Sequence, residues 1–241
     1  MKKSKWFLVG IIVLILVACL LLYLVLTDVF NIFGKNENNV TEMNVYDPED
    51  RVSVMLNATG EGYSIEIPQI NVDTEQTVVQ NINSEIREIF YNDAVEFMNR
   101  SHAEGEEYQV KYKAVFHGDK LGILILRQTS PIYGTDGTIY AVTYDTNTKT
   151  EYLPEDAMEK DGLNRLTLKD RIVDAYLEEN SNYKEEDLKE YKVEGIFEDY
   201  YVCTIDLQPQ DADVWKTIIG YRAGTSPDFK DIAYFKSFLN M

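Results

Sequence analysis

YQVKYKAVFHGDKLGILIL, Tyr108 to Leu126, is two strands and the turn that joins them. Apolar and polar residues alternate from Tyr108 to Phe116, the pattern of a half-buried strand with side chains on opposite faces. His117-Gly118-Asp119-Lys120 supplies the turn and Leu121 to Leu126 returns. Downstream, Thr138 to Tyr144 reads as a third strand, ended by the turn Asp145-Thr146-Asn147-Thr148-Lys149. Between them Leu126 to Gly137 holds a proline and two glycines and is expected to be an exposed loop with Tyr133 at its tip.

Upstream, Val52, Val54 and Leu56 alternate with Ser53, Met55 and Asn57, and Gly60 and Gly62 punctuate a second extended run, Tyr63 to Ile70. From Thr74 to about Arg100 the period lengthens. Val78, Val79, Ile82, Ile86, Ile89, Phe90, Ala94, Phe97 and Met98 fall close to the three-and-four spacing of a helix with one buried stripe. Asp73 is the expected cap, with Gln76 returning the bond, and Glu85, Arg87, Glu88 and Glu96 fall off the stripe into solvent. Strands beside one amphipathic helix predict a two-layer α+β unit over residues 51–160.

A second helix is predicted from Leu168 to Glu179, capped by Thr167 with Asp170 three residues on. Tyr191 to Phe197, Tyr200 to Leu207 and Val214 to Arg222 read as strands, while Phe229 to Leu239 fits no single pattern. Residues 161–241 are thus a second α+β lobe that shares or extends the first core. The fold class is α+β: antiparallel sheet packed with two main helices, behind an N-terminal transmembrane helix.

That helix is the uncharged run Trp6 to Leu26, WFLVGIIVLILVACLLLYLVL. At ~1.5 Å per residue it spans about 31 Å, matching a hydrocarbon core of ~30 Å. Lys2, Lys3 and Lys5 precede it and Thr27-Asp28 follow. This asymmetry makes residues 1–5 a cytoplasmic tail and places the rest of the chain outside the cell. The run is longer than a cleavable signal's apolar region and lacks its small-residue exit. Leu16-Val17-Ala18-Cys19 resembles a lipobox, which would make Cys19 a lipidation site, but seven more apolar residues follow it. Residues 27–50, polar and rich in Asn, read as a stalk.

Past the membrane run lie all 41 acidic side chains and all but three of the 23 basic ones. Such a field disfavours nucleic acid and favours cationic partners. Cys19 and Cys203 sit on opposite sides of the expected membrane boundary, so no disulfide joins them; Cys203 reads as a buried strand residue. Asn39, Asn57 and Asn99 begin Asn-x-Ser/Thr triplets that read as chance. His102 and His117, the two histidines, lack zinc-hydrolase spacing and read as surface residues. Asp145-x-Asn147-x-Lys149-x-Glu151 departs from a calcium loop, with Lys149 at its fifth position and Thr150 in place of the required glycine. No catalytic, cofactor-binding or metal-binding pattern stands out. Among 17 tyrosines, Tyr133, Tyr152 and Tyr183 are the binding candidates, with Tyr191 and Tyr221 as further loop or edge positions.

The order of Ile65-Glu66-Ile67-Pro68-Gln69-Ile70, Ile82-Asn83-Ser84-Glu85-Ile86, the Tyr108–Leu126 hairpin, Tyr140 to Lys149 and Tyr152-Leu153-Pro154-Glu155-Asp156 resembles a paired set of domains of unknown function. These occur in the ectodomain of the lysozyme-sensing anti-sigma factor of Gram-positive bacteria and ahead of the catalytic domain of certain peptidoglycan deacetylases. The likeness covers about residues 51–180. Only five residues precede Trp6, which leaves no sigma-binding segment; no deacetylase domain follows; and Gly134 and Gly137 stand where a glycine pair is usual. The resemblance implies a non-catalytic, membrane-anchored domain on the outer face of a Gram-positive cell. Its partners would be the membrane, through residues 6–26, and a cationic protein such as lysozyme or a cell-wall glycan. A structural subunit of a secretion or conjugation complex, and a cell-envelope hydrolase or deacetylase accessory, are the alternatives.

Overall fold

A computed structural model describes residues 51–130, 136–208, 215–224 and 232–234, all within one unit, Val45–Met241. The expected tail, anchor, stalk and Cys19 lie outside the described residues, as does Tyr133. Among the described residues no helix is long and apolar enough to cross a membrane.

The described chain is mixed α+β and forms two sheets. The first has strands in the order β1 (Val52–Gly60), β2 (Tyr63–Ile70), β3 (Glu107–His117), β4 (Lys120–Ser130), β5 (Asp136–Asp145) and β6 (Thr150–Glu151). The second runs β10 (Ile232–Tyr234), β9 (Trp215–Arg222), β8 (Tyr200–Leu207) and β7 (Leu188–Phe197). The predicted hairpin forms with Phe116 opposite Leu121 and a two-residue turn in which Gly118 takes φ +60°. β4 and β5 continue pairing to Thr129 and Asp136, so most of the expected loop is strand.

One pairing departs from the antiparallel expectation. β2 meets β3 in parallel over Tyr63–Ile65, because the chain crosses between them through a helix and does not turn back on itself. That helix is α1 (Thr77–Ile86) and α2 (Asn92–Asn99), joined through a π-helical turn at Arg87–Tyr91. Of its predicted stripe, Val79, Ile82, Ile86, Phe90, Ala94 and Phe97 are buried, while Val78, Ile89 and Met98 are half-buried at the margin of the same core. Its cap is not Asp73. Gln76 occupies the N-cap without a side-chain bond, while Asp73, at φ +50°, accepts from Tyr144 Oη at 3.1 Å and pairs with Lys149.

β2 shows why this unit holds together. Pro68 has no N–H to give to the ladder, and opposite it, between Val54 and Leu56, β1 bulges and turns Val54 out to 42% exposure. On its other edge, past the short parallel ladder, Ile70 donates its N–H to Asn83 Oδ1 at 2.7 Å and accepts from Asn83 Nδ2 at 2.9 Å. The Asn83 amide substitutes for a strand backbone, so the helix closes the edge that β3 leaves open.

The second unit follows α3 (Pro154–Lys160) and α4 (Arg165–Glu179). α4 starts three residues before the expected Leu168. Its cap is Asn164, whose Oδ1 accepts from Leu166 N and Thr167 N, while Thr167 Oγ1 accepts from Asn164 N. Thr167 is therefore the returning member of the box and not the cap. α3 and α4 cover Tyr201, Cys203, Ile205 and Ile219 of the second sheet. α3 thus belongs to the second core, ahead of the expected boundary at residue 161.

Parity along β4 explains the whole arrangement. Leu121, Ile123 and Ile125 face the first helix, whereas Leu124 and Leu126 face Phe197, Val202 and Ile218 of the second sheet. Along β8, Tyr201, Cys203 and Ile205 face α3 and α4 while Val202 faces the first sheet. The described residues form four layers, helix, sheet, sheet, helix, and the two sheets share a core between them.

Candidate functional site

Where β5 and β7 cross, their backbones touch. A Cβ at Gly195 would lie 2.0 Å from the Ala141 carbonyl oxygen, so only glycine admits this approach. Thr143 Oγ1 donates to Ile196 O at 2.8 Å beside it. β7 bulges between Val193 and Gly195, which leaves Glu194 as the extra residue.

Around this crossing lies a cleft of about 290 Å³. Its lining includes Tyr140 to Val142 of β5, Val193 to Ile196 of β7, Glu151 to Glu155 and Met158 at the start of α3, and the side chains of Glu85 and Arg165. Pro154 at the first helical position and the Asp156 carboxylate, which accepts from Leu153 N at 2.9 Å, fix the entry of α3.

Four carboxylates border the cleft, and three have partners. Glu85 accepts from Tyr140 Oη at 2.9 Å, Glu155 pairs with Arg165, and Glu194 pairs with Lys192 and accepts from Thr204 Oγ1 at 2.9 Å. Glu151 makes no side-chain hydrogen bond or ion pair with any described residue. Burial, and then the charge of Glu85, push its carboxyl above the usual range. Burial, joined by the same glutamate, pushes the Tyr140 hydroxyl up as well. Glu151 is therefore the carboxylate of this lining that has no ionic or hydrogen-bonded partner among the described residues.

Of the binding candidates among the described residues, Tyr152 lines this cleft and Tyr183 does not. The Tyr152 ring lies under Lys120 Nζ at 3.5 Å and Lys160 Nζ at 4.5 Å, and its hydroxyl accepts from Lys160 Nζ at 3.3 Å. Tyr183 packs on the second core and is not part of the lining. Tyr221 is buried in the second sheet, while Tyr191 is on its edge strand β7, half-buried against Cys203 with Oη and Sγ 3.6 Å apart. Glu85 is exposed as expected, yet it also borders the cleft. The sequence offered Glu151 only as part of a calcium-like segment and Tyr140 only as part of a strand, and singled out neither Glu194 nor Gly195; their meeting depends on strands distant in the chain.

Other candidates resolve simply. Cys203 is fully buried, and burial pushes its thiol up to about 12, which makes it inert as a nucleophile. Asp145 Oδ1 accepts from Asn147 N and Thr148 N, each at 2.9 Å, so the calcium-like segment is a side-chain-braced turn. Among the described residues no group of three or more His, Cys, Asp or Glu could hold a metal ion. His117 is exposed, whereas His102 is half-buried and stacks on Phe97 with ring centroids 4.2 Å apart. A second hollow of about 330 Å³ beside Phe97 is lined by the pair Arg100–Glu106, by Asp93, which pairs with Arg127, and by Glu96.

No family model matches the chain, and no curated protein does. Among solved structures it is similar to a DUF3298 family protein of Pseudomonas aeruginosa, at 10% identity and a TM-score of 0.41, over 68% of this chain and 85% of that one. That neighbour is itself a domain of unknown function. A likeness of this size shows neither a family nor an anti-sigma context.

Proposed function

We propose that this chain is a non-catalytic binding domain, anchored to the membrane of a Gram-positive cell through residues 6–26 and displayed on its outer face. Its partner is a cationic protein of the lysozyme kind or a cationic cell-wall component. The observation that carries the reading is Glu151, a carboxylate partly withdrawn from water, without a counter-ion, next to Glu85 in a cleft of a chain with net charge −18. An incoming ammonium or guanidinium supplies the missing partner, and charge of this sign accelerates encounter.

The test is binding of lysozyme to the full-length chain at rising ionic strength. Affinity should fall steeply as the screening length drops to about 8 Å near physiological salt. Replacing Glu85 and Glu151 with Gln should weaken binding about tenfold, equal to ~1.4 kcal/mol. Binding that ignores both salt and the substitutions would rule the reading out. A second reading, an envelope glycoside hydrolase, draws on the same two carboxylates, since such enzymes use one raised and one ionised acid. Release of reducing sugar from purified cell wall, abolished by E151Q, would establish it in place of the first.

A further inference from the structure

The two-residue β3–β4 and β7–β8 turns, one in each sheet, differ at their first residue. In the first, Gly118 takes φ +60° between His117 and Lys120; in the second, Glu198 takes φ +55° between Phe197 and Tyr200. Asp119 and Asp199 follow them. A positive φ at the first turn residue favours glycine, and a glutamate there is strained. That glutamate is also poorly accommodated electrostatically. Glu198 Oε1 is buried without a hydrogen-bond partner, an arrangement that costs free energy while the group is charged.

Its surroundings are the other sheet. A Cβ at Gly122 of β4 would lie 3.2 Å from Phe197 Cδ2 and 3.4 Å from Glu198 N, so the turn rests directly on β4. The charged groups that act on the carboxyl are Lys113 and His117 of β3 and Asp199 of its own turn. Burial is the largest influence and raises the carboxyl's pKa; Lys113 opposes, Asp199 reinforces, and His117 opposes.

We infer that Glu198 is an acid-tightened latch at the junction of the two sheets, holding the β7–β8 turn onto β3 and β4 more firmly when its carboxyl carries a proton. The direction follows from linkage. The folded chain keeps this proton to higher pH than the unfolded chain does, so the stabilisation is complete below the ordinary glutamate range and is lost as pH rises through the folded value.

The experiment is the melting temperature of the full-length chain, wild type against E198Q and E198G, from about pH 4 to about pH 7.5. E198Q cannot ionise. At neutral pH it should melt above the wild type by about 2–4 °C, with the gap closing towards the acid end. E198G removes both the charge and the φ strain, so it should exceed the wild type across the range. A wild-type curve parallel to that of E198Q overturns the latch, as does either variant melting below the wild type at neutral pH or failing to fold. Direct carbon-13 titration of the Glu198 carboxyl within the ordinary glutamate range does the same.

Discussion

At the scale of single residues, position 195 admits no side chain. Gly195→Ala places a Cβ 2.0 Å from the Ala141 oxygen and 2.8 Å from its carbon, both backbone atoms that cannot swing away. The substitution should cost about 3 kcal/mol or prevent folding, read as a lower urea midpoint. Asn83→Ala strips the Ile70 N–H and C=O of their partners and should cost about 2 kcal/mol, whereas Asn83→Asp keeps an acceptor for the N–H alone and falls between. In the proposed function Glu151 is the partner of the incoming cation. Its raised carboxyl must be ionised to hold a cation, so affinity should decline with falling pH while carboxylates of ordinary pKa are still charged, and E151Q should flatten that decline. Isothermal titration between about pH 5 and about pH 7 separates the cases. None of these three roles follows from local pattern, since each partner lies at least a dozen residues away.

At the scale of elements, β4 carries the lesson. Leu121 to Leu126 is buried at every position, and its two parities serve two different cores. A half-buried strand would tolerate truncation on one face. Here Ile123→Ala and Leu124→Ala, which point in opposite directions, should each cost about 2–4 kcal/mol in chemical denaturation. The unbroken apolar run of Leu121 to Leu126, beside the alternation of Tyr108 to Phe116, was the available signal of burial on both faces. The helix starts were harder to read. Asn164 and Thr167 are both good capping residues three apart, and the pair reads as a box only when the earlier one is taken as cap. Asn164→Ala should therefore lower stability by ~1 kcal/mol.

At the scale of the whole molecule, the two sheets share the layer formed by Leu124, Leu126, Ala141, Phe197, Val202 and Ile218. Neither sheet can keep that face dry alone, so the described unit should unfold in one transition, with probes in each sheet giving the same urea midpoint. The longer strands, the two main helices and the excess of acid are determined by the sequence itself, because alternation, the three-and-four spacing and net charge are local or additive properties, whereas the short helix Pro154–Lys160 carries too few residues to show a period. The parallel meeting of β2 and β3, the stacking of the sheets and the cleft came only from tertiary structure. Glu85, Glu151 and Glu194 lie far apart in the chain, and only the close passage of Gly195 over Ala141 brings β7 near enough to β5 for their charges to share one small volume.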